Sequence, residues 1–223
     1  MTKPSLRAVL FVNGELPEPE RLRAMLQPGD LLVAVDGGLR HLTSLNLVPS
    51  LIIGDLDSAD PEEVARLESR GVEVRRFPTH KDATDLELAL EAALEMGANP
   101  IWIVAALGDR IDQTLGNIFL LTQPQLSSLD VRLVDGVREM FIIRDRTTIE
   151  GLPGQTVSLL PLMGPVSGVT TFRLAYPLNH ETLYPDRTRG ISNEMLAETA
   201  GVSFEDGVLL CIHTLNEIPE LKG

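Results

Sequence analysis

Short apolar runs alternate with segments of helical periodicity over the first 135 residues. Strands covered on both faces of a sheet are apolar at nearly every position, so the runs predict a mainly parallel sheet. The predicted strands are at 8–12, 31–35, 51–53, 72–74, 101–107 and 131–135. The predicted helices are at 19–26, 39–45, 61–70, 84–96 and through 117–121. This alternation is typical of an α/β domain.

The pattern changes after about residue 139, where helical periodicity nearly disappears. Short apolar or alternating runs continue, separated by Gly and Pro, and they predict an antiparallel sandwich or barrel. These runs are at 140–143, 156–160, 169–172 and 208–212. We therefore expect two domains, 1–137 and 138–223.

The segment 51–58 carries the strongest chemical signal. A buried strand ends at Gly54, and Asp55 and Asp57 follow. If the backbone stays extended, these two side chains point the same way, because side chains alternate along a strand. Paired carboxylates suit Mg²⁺, which prefers oxygen ligands. The alternative is that the acids only form a turn before a helix that begins at Pro61 and is capped by Ser58 or Asp60.

Other predicted strand ends and one helix start also carry charged residues. Asp36 precedes Gly37 and Gly38, and Asp109 and Arg110 follow Gly108. Each motif alone has a structural explanation, such as a tight turn or an Arg110 salt bridge to a neighbouring acid. Because parallel strands end at one sheet edge, the motifs together predict a site for phosphate and Mg²⁺.

The start of the helix at 84–96 has two interpretations. Thr84 and Glu87 resemble a capping box, and Asp85 in the first turn is favoured by the helix dipole. The functional alternative is that Asp85 is a third metal carboxylate and that Lys81 pairs with a phosphate.

Composition excludes several classes of function. The net charge of the 223 residues is −13 and no basic run occurs, so we expect neither bare nucleic acid nor anionic membrane as a partner. No apolar run is long enough to span a bilayer. The single cysteine, Cys211, forbids an internal disulfide, which fits a cytoplasmic protein. Residues 1–7 contain no signal-peptide core.

Common cofactor motifs are absent from the sequence. There is no Gly-Lys-Ser/Thr P-loop, no Gly-x-Gly-x-x-Gly and no Cys/His spacing for zinc. In the second half, Ser192 and Asn193 place a hydroxyl beside an amide, which can read the edge of a heterocycle. A polar turn between strands is the simpler interpretation of that pair.

Taken in order, these motifs resemble the thiamine pyrophosphokinase family over nearly the whole chain. The similarity rests on 36–38, 49–58, 81–85, 108–113 with Asn117, 157–162, 176–178 and 190–194. It implies a Rossmann-like three-layer α/β/α domain, a C-terminal antiparallel β-sandwich and a homodimer with active sites shared between chains. The implied activity is transfer of a pyrophosphoryl group from ATP to the hydroxyl of thiamine, giving thiamine diphosphate and AMP.

The resemblance also assigns residues. It implies Asp55, Asp57 and Asp85 as Mg²⁺ ligands, with Arg110 and Asp112 as further catalytic residues. It implies ATP or phosphate contacts by Asp36, Gly37, Lys81, Arg110 and Asn117. It implies thiamine contacts by Ser192 and Asn193, and Asp112 is our candidate for the proton acceptor.

Two alternative functions stay open on the sequence. One is a pyrophosphokinase for another small alcohol, such as a hydroxymethyl-pterin, and the other is a non-catalytic thiamine or nucleotide sensor. The chain also departs from the family pattern at Asp109 and at Arg173, where the family usually has glycine. We expect Asp109 to add negative charge near the triphosphate if it faces the site.

Overall fold

The structure is a computed structural model that describes residues 6–80 and 82–215. Its contacts divide the chain into two compact units, Met1–Gly136 and Val137–Gly223. Lys81 lies outside the described residues.

Unit 1 contains a parallel sheet with strand order β6-β5-β1-β2-β3-β4. Its strands are β1 Leu6–Phe11, β2 Leu31–Val35, β3 Leu51–Gly54, β4 Glu73–Arg76, β5 Ala98–Val104 and β6 Val131–Val134. Its helices are α1 Pro19–Met25, α2 Leu39–Ser44, α3 Pro61–Ser69, α4 Asp85–Glu95 and α5 Ile111–Leu120. The fully buried runs, such as Leu51–Gly54, form these strands as the apolar pattern predicts.

Helix starts in unit 1 follow the capping residues. Asp60 caps α3 by accepting the Glu62 N–H at 3.0 Å, and Pro61 occupies the first turn. Thr84 caps α4 by accepting the Glu87 N–H at 3.3 Å. These caps fix where each chain segment leaves the sheet edge and enters a helix.

Unit 2 contains two antiparallel groups of strands, ordered β12-β9-β14-β7 and β11-β10-β13-β8. The strands are β7 Arg138–Ile143, β8 Arg146–Glu150, β9 Thr156–Pro161, β10 Val166–Phe172, β11 Glu181–Leu183, β12 Asn193–Glu194, β13 Thr199–Ser203 and β14 Leu209–Thr214. Buried side chains from both groups, including Leu159, Val169 and Val202, form one apolar core. The predicted antiparallel sandwich is confirmed, although the sequence pattern missed β8, β11, β12 and β13.

Candidate active site

Three carboxylates meet at the carboxyl ends of β2 and β3. Asp36 follows β2, and Asp55 and Asp57 follow β3. One oxygen from each lies within 4.8 Å of the others. Three negative charges at this spacing repel one another strongly, and a divalent cation removes that repulsion. A set of three carboxylates is a donor set that fits Mg²⁺.

The backbone that brings these acids together is not extended. Leu56 lies between Asp55 and Asp57 with φ +63°, so the condition of an extended backbone past Gly54 is not met. The left-handed residue turns the chain, and the Asp57 N–H then donates to Asp55 Oδ1 at 3.2 Å. The two carboxylates therefore converge through a turn stabilised by Asp55 itself, rather than through strand alternation.

Gly54 allows β3 to approach the end of β2. Its φ is +146°, and a Cβ at this position would lie 3.1 Å from Asp36 Cβ. Asp36 also has a left-handed backbone, with φ +49°. Ser58 links the two strand ends, since its N–H donates to Asp36 Oδ1 at 3.4 Å and its hydroxyl donates to Asp57 Oδ1 at 2.9 Å. Left-handed residues other than glycine are costly, and they concentrate at functional sites.

Asp85 and Gly37, two other predicted site residues, are not among the three carboxylates of this cluster. Asp85 opens α4 and has a buried carboxylate oxygen, but the group of carboxylates within 4.8 Å in the described chain does not include it. Lys81 precedes it in the part of the chain outside the described residues. Gly37 is buried behind Asp36, where a Cβ would lie 2.5 Å from the side chain of Asn13.

A cleft of about 220 Å³ opens at the ends of β1 and β5, on the same edge of the sheet as the carboxylate cluster. The strand order reverses between these two strands, because β2 to β4 lie on one side of β1 and β5 and β6 on the other. Open α/β sheets bind their ligands at such a switch point. The residues lining the cleft include Asn13, Glu15, Arg40, Asp109, Arg110 and Asn117.

The walls of the cleft are fixed by contacts between loops. The Gly14 N–H donates to Ala105 O at 2.7 Å, and a Cβ at Gly14 would overlap the carbonyl oxygens of Ala105 and Leu107. Arg40 donates to the carbonyl oxygens of Asn13 and Gly14 at 3.0 and 2.8 Å. Asn117, a predicted nucleotide contact, also has a structural role, since its Nδ2 donates to Ala106 O at 2.7 Å.

His41 also contacts Gly14, in the same wall of the cleft. Burial lowers the pKa of His41, the contact with Gly14 O opposes this shift, and the charge of Arg40 adds to it. Nε2 of His41 has two contacts: Gly14 O, 3.0 Å away, can only accept from a protonated Nε2, whereas Nε of Arg40 donates to Nε2 over 3.4 Å when that nitrogen is unprotonated. The sequence pattern missed Arg40 and His41. Nothing in the neighbouring sequence marks them as site residues, except that they follow shortly after Gly37 and Gly38.

Arg110 and Asp112 form an ion pair at the mouth of the cleft. Two guanidinium nitrogens, Nε and Nη2, donate to the Asp112 carboxylate at 3.0 and 2.7 Å, and both side chains are two-thirds exposed. The hydrogen bond from Arg110, with one from the Gln113 backbone, lowers the pKa of Asp112 to about 2. A carboxylate with so low a pKa is a weak base, which reduces its value as a proton acceptor while the pair persists.

In unit 2, the predicted thiamine residues lie at β12. Ser192 is exposed and has φ +57°, and its N–H donates to Ser158 Oγ at 3.0 Å. Asn193 is buried, and its side-chain amide bonds to both the N–H and the C=O of Tyr176. The two neighbours therefore differ, since Ser192 offers its side chain to solvent and Asn193 faces the protein.

The pairing with Asn193 brings an aromatic residue, Tyr176, to the residue that follows Ser192 in the chain. The Tyr176 side chain is 62% exposed. The sequence pattern gives Tyr176 no role of its own, because 17 residues separate it from Asn193. Leu174 and Met195 form a β-bridge next to this pairing.

A buried polar network of Gln155, His213 and Glu139 connects to the residue that follows β12. The Met195 N–H donates to the backbone oxygen of Gln155 at 2.9 Å. The Gln155 side-chain oxygen contacts Nε2 of His213 at 2.9 Å, and Nδ1 of His213 contacts Glu139 at 3.0 Å. His213 is fully buried, so β12 is anchored through Gln155 to the sandwich interior.

Comparison with known families matches both units. Residues 22–133 match the model of the thiamin pyrophosphokinase catalytic domain. Residues 144–209 match that of the thiamin pyrophosphokinase vitamin B1 binding domain. The chain belongs to the thiamine pyrophosphokinase family.

Individual relatives agree with this family. Thiamine pyrophosphokinase of Bacillus subtilis (strain 168) is 31% identical over 186 residues, covering 82% of this chain and 87% of that protein. A crystal structure of thiamine pyrophosphokinase from Bacillus subtilis superposes with a TM-score of 0.84 at 28% identity, covering 95% of this chain and 100% of the other. Thiamin pyrophosphokinase from Candida albicans, at 17% identity, has the same fold, with a TM-score of 0.81 and coverage of 95% and 90%.

The predicted α/β domain followed by an antiparallel sandwich is thus confirmed as the fold of thiamine pyrophosphokinases. Within residues 6–80 and 82–215, every helix is too short or too polar to cross a lipid bilayer.

Proposed function

We propose that this protein transfers the pyrophosphoryl group of ATP to the hydroxyl of thiamine. The thiamine oxygen forms a bond to the β-phosphorus, the bond from that phosphorus to the α–β bridging oxygen breaks, and AMP leaves. The observation that carries the proposal is that the carboxylate cluster of Asp36, Asp55 and Asp57 and a cleft at the switch point occupy the same edge of the sheet. Membership of the thiamine pyrophosphokinase family across both units supports it.

ATP is the co-substrate, and we propose that it occupies the cleft at the ends of β1 and β5. Arg110 lies at the cleft mouth with an exposed guanidinium, which suits bidentate contact with phosphate. Asn117 lines the cleft as well, while Lys81 is proposed as a phosphate contact on the family resemblance alone. To bind phosphate, Arg110 exchanges its ion pair with Asp112 for a second anion, at little cost because the pair is exposed.

Mg²⁺ is proposed to bind at Asp55 and Asp57, with Asp36 as a further carboxylate that the geometry adds. Asp85, the first residue of α4, is also proposed as a ligand, on the family resemblance. The cation would offset charge on the phosphate oxygens, which is the main requirement of phosphoryl-transfer chemistry. The protein places these carboxylates close together, and Ser58 joins the ends of β2 and β3 by donating to both Asp36 and Asp57.

Thiamine is proposed to bind at β12 of unit 2, where Ser192 offers an exposed hydroxyl. The exposed ring of Tyr176 adds a flat apolar surface next to it. Hydroxyl groups and aromatic faces are the chemistry that recognises a small heterocycle. In this assignment unit 1 is the catalytic domain and unit 2 the thiamine-binding domain.

We also propose a cytoplasmic homodimer in which each site combines Asp55, Asp57 and Asp85 of one chain with Ser192 and Asn193 of its partner. An uncovered apolar stripe on α5 supports a second copy as partner. Ile111, Leu115 and Phe119 recur every four residues there, and each is close to half exposed or more. None of the residues in α5 is buried within the chain. An exposed stripe of this kind marks an interaction surface.

The product distinguishes this function from the alternatives. The purified protein is incubated with ATP, Mg²⁺ and either thiamine or hydroxymethyl-pterin, and nucleotides are separated by ion-exchange chromatography. We expect AMP to appear with thiamine, in equal amount to thiamine diphosphate. ADP as product, or AMP with the pterin alone, would overturn the proposal, and binding of thiamine without any product would identify a sensor.

A further inference from the structure

The side chain of Asn193 behaves like a piece of a neighbouring strand. Its Oδ1 accepts the Tyr176 N–H at 2.9 Å, and its Nδ2 donates to Tyr176 O at 2.7 Å. Both bonds go to the same residue, as in a hydrogen-bonded pair of an antiparallel sheet. The Glu194 N–H adds a third bond to Oδ1, also at 2.9 Å. The amide therefore fixes the peptide groups on both sides of Tyr176.

The orientation of this amide is determined by its partners. Two N–H groups, from Tyr176 and Glu194, point at one end, and a carbonyl oxygen points at the other. Exchanging the oxygen and nitrogen of Asn193 would place an NH₂ group against two donors and an oxygen against an acceptor. Only the present arrangement satisfies all three contacts.

The segment that contains Tyr176 also pairs through its backbone, since the Ala175 N–H donates to Glu194 O at 2.9 Å and the Leu196 N–H donates to Arg173 O at 3.0 Å. It follows β10 and includes Arg173, whose backbone is left-handed with φ +57°. Tyr176 precedes Pro177, which restricts Tyr176 to extended conformations. Asn193, Pro177 and the pairing of Leu174 with Met195 together hold this backbone, and the side-chain torsions of Tyr176 then set the direction of its ring.

We infer that Asn193 is a positioning residue, which acts on thiamine through the backbone of Tyr176 and presents that ring to the ligand without touching thiamine itself. The inference rests on the proposed function and revises the expected role of Asn193. The residue is 4% exposed, so it has almost no surface to offer a ligand, whereas Tyr176 is 62% exposed. Ser192, the exposed neighbour, keeps the direct contact.

The first experiment uses the fact that the chain contains two tyrosines, Tyr176 and Tyr184. Protein labelled with ¹⁵N-tyrosine gives one amide signal for each, and Tyr184 serves as the internal reference. In Asn193→Ala we expect the Tyr176 amide to exchange with solvent at least ~10-fold faster than in the wild type, because it loses its acceptor. An unchanged Tyr176 exchange rate would show that Asn193 does not hold this backbone.

The second experiment is a double-mutant cycle on the KM for thiamine. We expect Asn193→Ala to raise this KM about 10-fold, because the neutral hydrogen bonds from the Asn193 amide to the Tyr176 backbone are lost. The KM for ATP should stay unchanged. Tyr176→Ala should raise the KM for thiamine at least as much. The double variant should match Tyr176→Ala alone, because Asn193 has no effect once the ring is gone.

Control variants test whether these effects are specific to the contact between Asn193 and Tyr176. Asn179→Ala removes an exposed amide in the same loop and should leave the KM for thiamine unchanged. If Asn193→Ala does not fold, Asn193→Ser, which replaces the amide with a shorter hydroxyl, is used instead in both experiments. Additive effects of Asn193 and Tyr176 would mean that Asn193 contacts thiamine directly, which overturns the inference while the proposed function stands. A wild-type protein that makes no thiamine diphosphate would overturn the proposed function and the inference with it.

Discussion

Asp57 is the residue in the carboxylate cluster whose replacement tests the cation site most directly. Asp57→Asn keeps the shape of the side chain, including an oxygen that can accept from Ser58, and removes one negative charge. We expect turnover to fall by at least ~10²-fold, comparable to the loss of one strong transition-state contact. Activity measured over a range of Mg²⁺ concentrations should show a weaker apparent affinity for the cation.

Asp60 provides the matched control for that experiment. It lies three residues away and caps α3, where Asn is an equally good cap. Asp60→Asn should therefore keep both stability and turnover. Near-normal turnover of Asp57→Asn at limiting Mg²⁺ would remove Asp57 from the set of ligands.

Asp109 adds a negative charge to a cleft that is proposed to bind a polyanion. It lines the cleft beside Arg110, where the family usually has glycine. We expect Asp109→Gly and Asp109→Asn to lower the KM for ATP and to leave the KM for thiamine unchanged. The gain should shrink as salt is added, because exposed charges are screened. Equal ATP constants in all three proteins would mean that Asp109 does not act on the nucleotide.

The departure at Arg173 has a structural explanation. This residue has φ +57°, a conformation that glycine adopts without strain and that costs other residues roughly 1–2 kcal/mol. Arg173 partly compensates by donating to Thr199 Oγ1 at 2.9 Å and by stacking on the Phe172 ring.

Substitution at Arg173 should separate these two effects. Arg173→Ala loses the contacts and keeps the strain, whereas Arg173→Gly loses the contacts and relieves it. We expect the glycine variant to be more stable than the alanine variant by about 1 kcal/mol. Urea unfolding of both variants measures this difference, and equal midpoints would contradict the strained backbone.

At the scale of elements, three of the loops that follow strands of unit 1 begin with a similar left-handed turn. Asp36 after β2, Leu56 after β3 and Ala105 after β5 all have left-handed backbones, with φ between +49° and +63°. Each turns the chain sharply as it leaves the sheet. The loops can then cross one another closely, which places the carboxylates and the cleft walls at one edge.

The ion pair between Arg110 and Asp112 at the start of α5 leads to a prediction on the pH dependence of stability and activity. The ion pair with Arg110 lowers the pKa of Asp112 to about 2, below its ordinary value of 3.8. The stability that this pair contributes is therefore present above about pH 4 and is lost as the pH falls toward 2. Asp112 stays ionised throughout the working range, so no ionisation of Asp112 shapes activity between pH 5 and 9.

The pH dependence of kcat/KM measures this in Asp112→Asn. We expect the profile between pH 5 and 9 to keep its shape, while the KM for ATP falls because Arg110 is released for phosphate. Loss of the acidic limb in Asp112→Asn would instead identify Asp112 as the proton acceptor. Gln113→Ala, in the same turn, is a control for disturbance of the helix start.

At the scale of the whole molecule, shared sites predict complementation between two chains that are each impaired at a different part of the site. Asp57→Asn is mixed in equal amounts with the double variant Tyr176→Ala/Asn193→Ala, at thiamine concentrations below the raised KM. Random exchange makes half of the dimers mixed, and each mixed dimer has one intact site. We expect activity to recover to about a quarter of the wild-type value.

Subunit exchange must be demonstrated independently, for example by energy transfer between chains labelled with different dyes. Exchange without recovered activity would show that each chain builds its own site. Leu115→Glu, which places a charge in the apolar stripe of α5, should weaken the dimer and abolish the recovery.

The sequence by itself determined the class of fold and most of the residues that gather at the sheet edge. Apolar runs such as 51–53 indicate strands buried on both faces, and helix starts at Asp60 and Thr84 are set by neighbouring residues. These features are encoded locally, by side-chain spacing and capping, and parallel strands then place their carboxyl ends together. The order of motifs also identified the family.

Only the tertiary structure decided which residues complete each site. Asp55 and Asp57 converge through the left-handed turn at Leu56, where Gly54 packs against Asp36 at the end of β2, and not through an extended chain. Short strands such as Asn193–Glu194 exist because distant partners pair with them. The two faces of the Ser192–Asn193 pair were likewise fixed by Tyr176, 17 residues away from Asn193. Such contacts join segments far apart in the chain, and local patterns of polarity do not encode them.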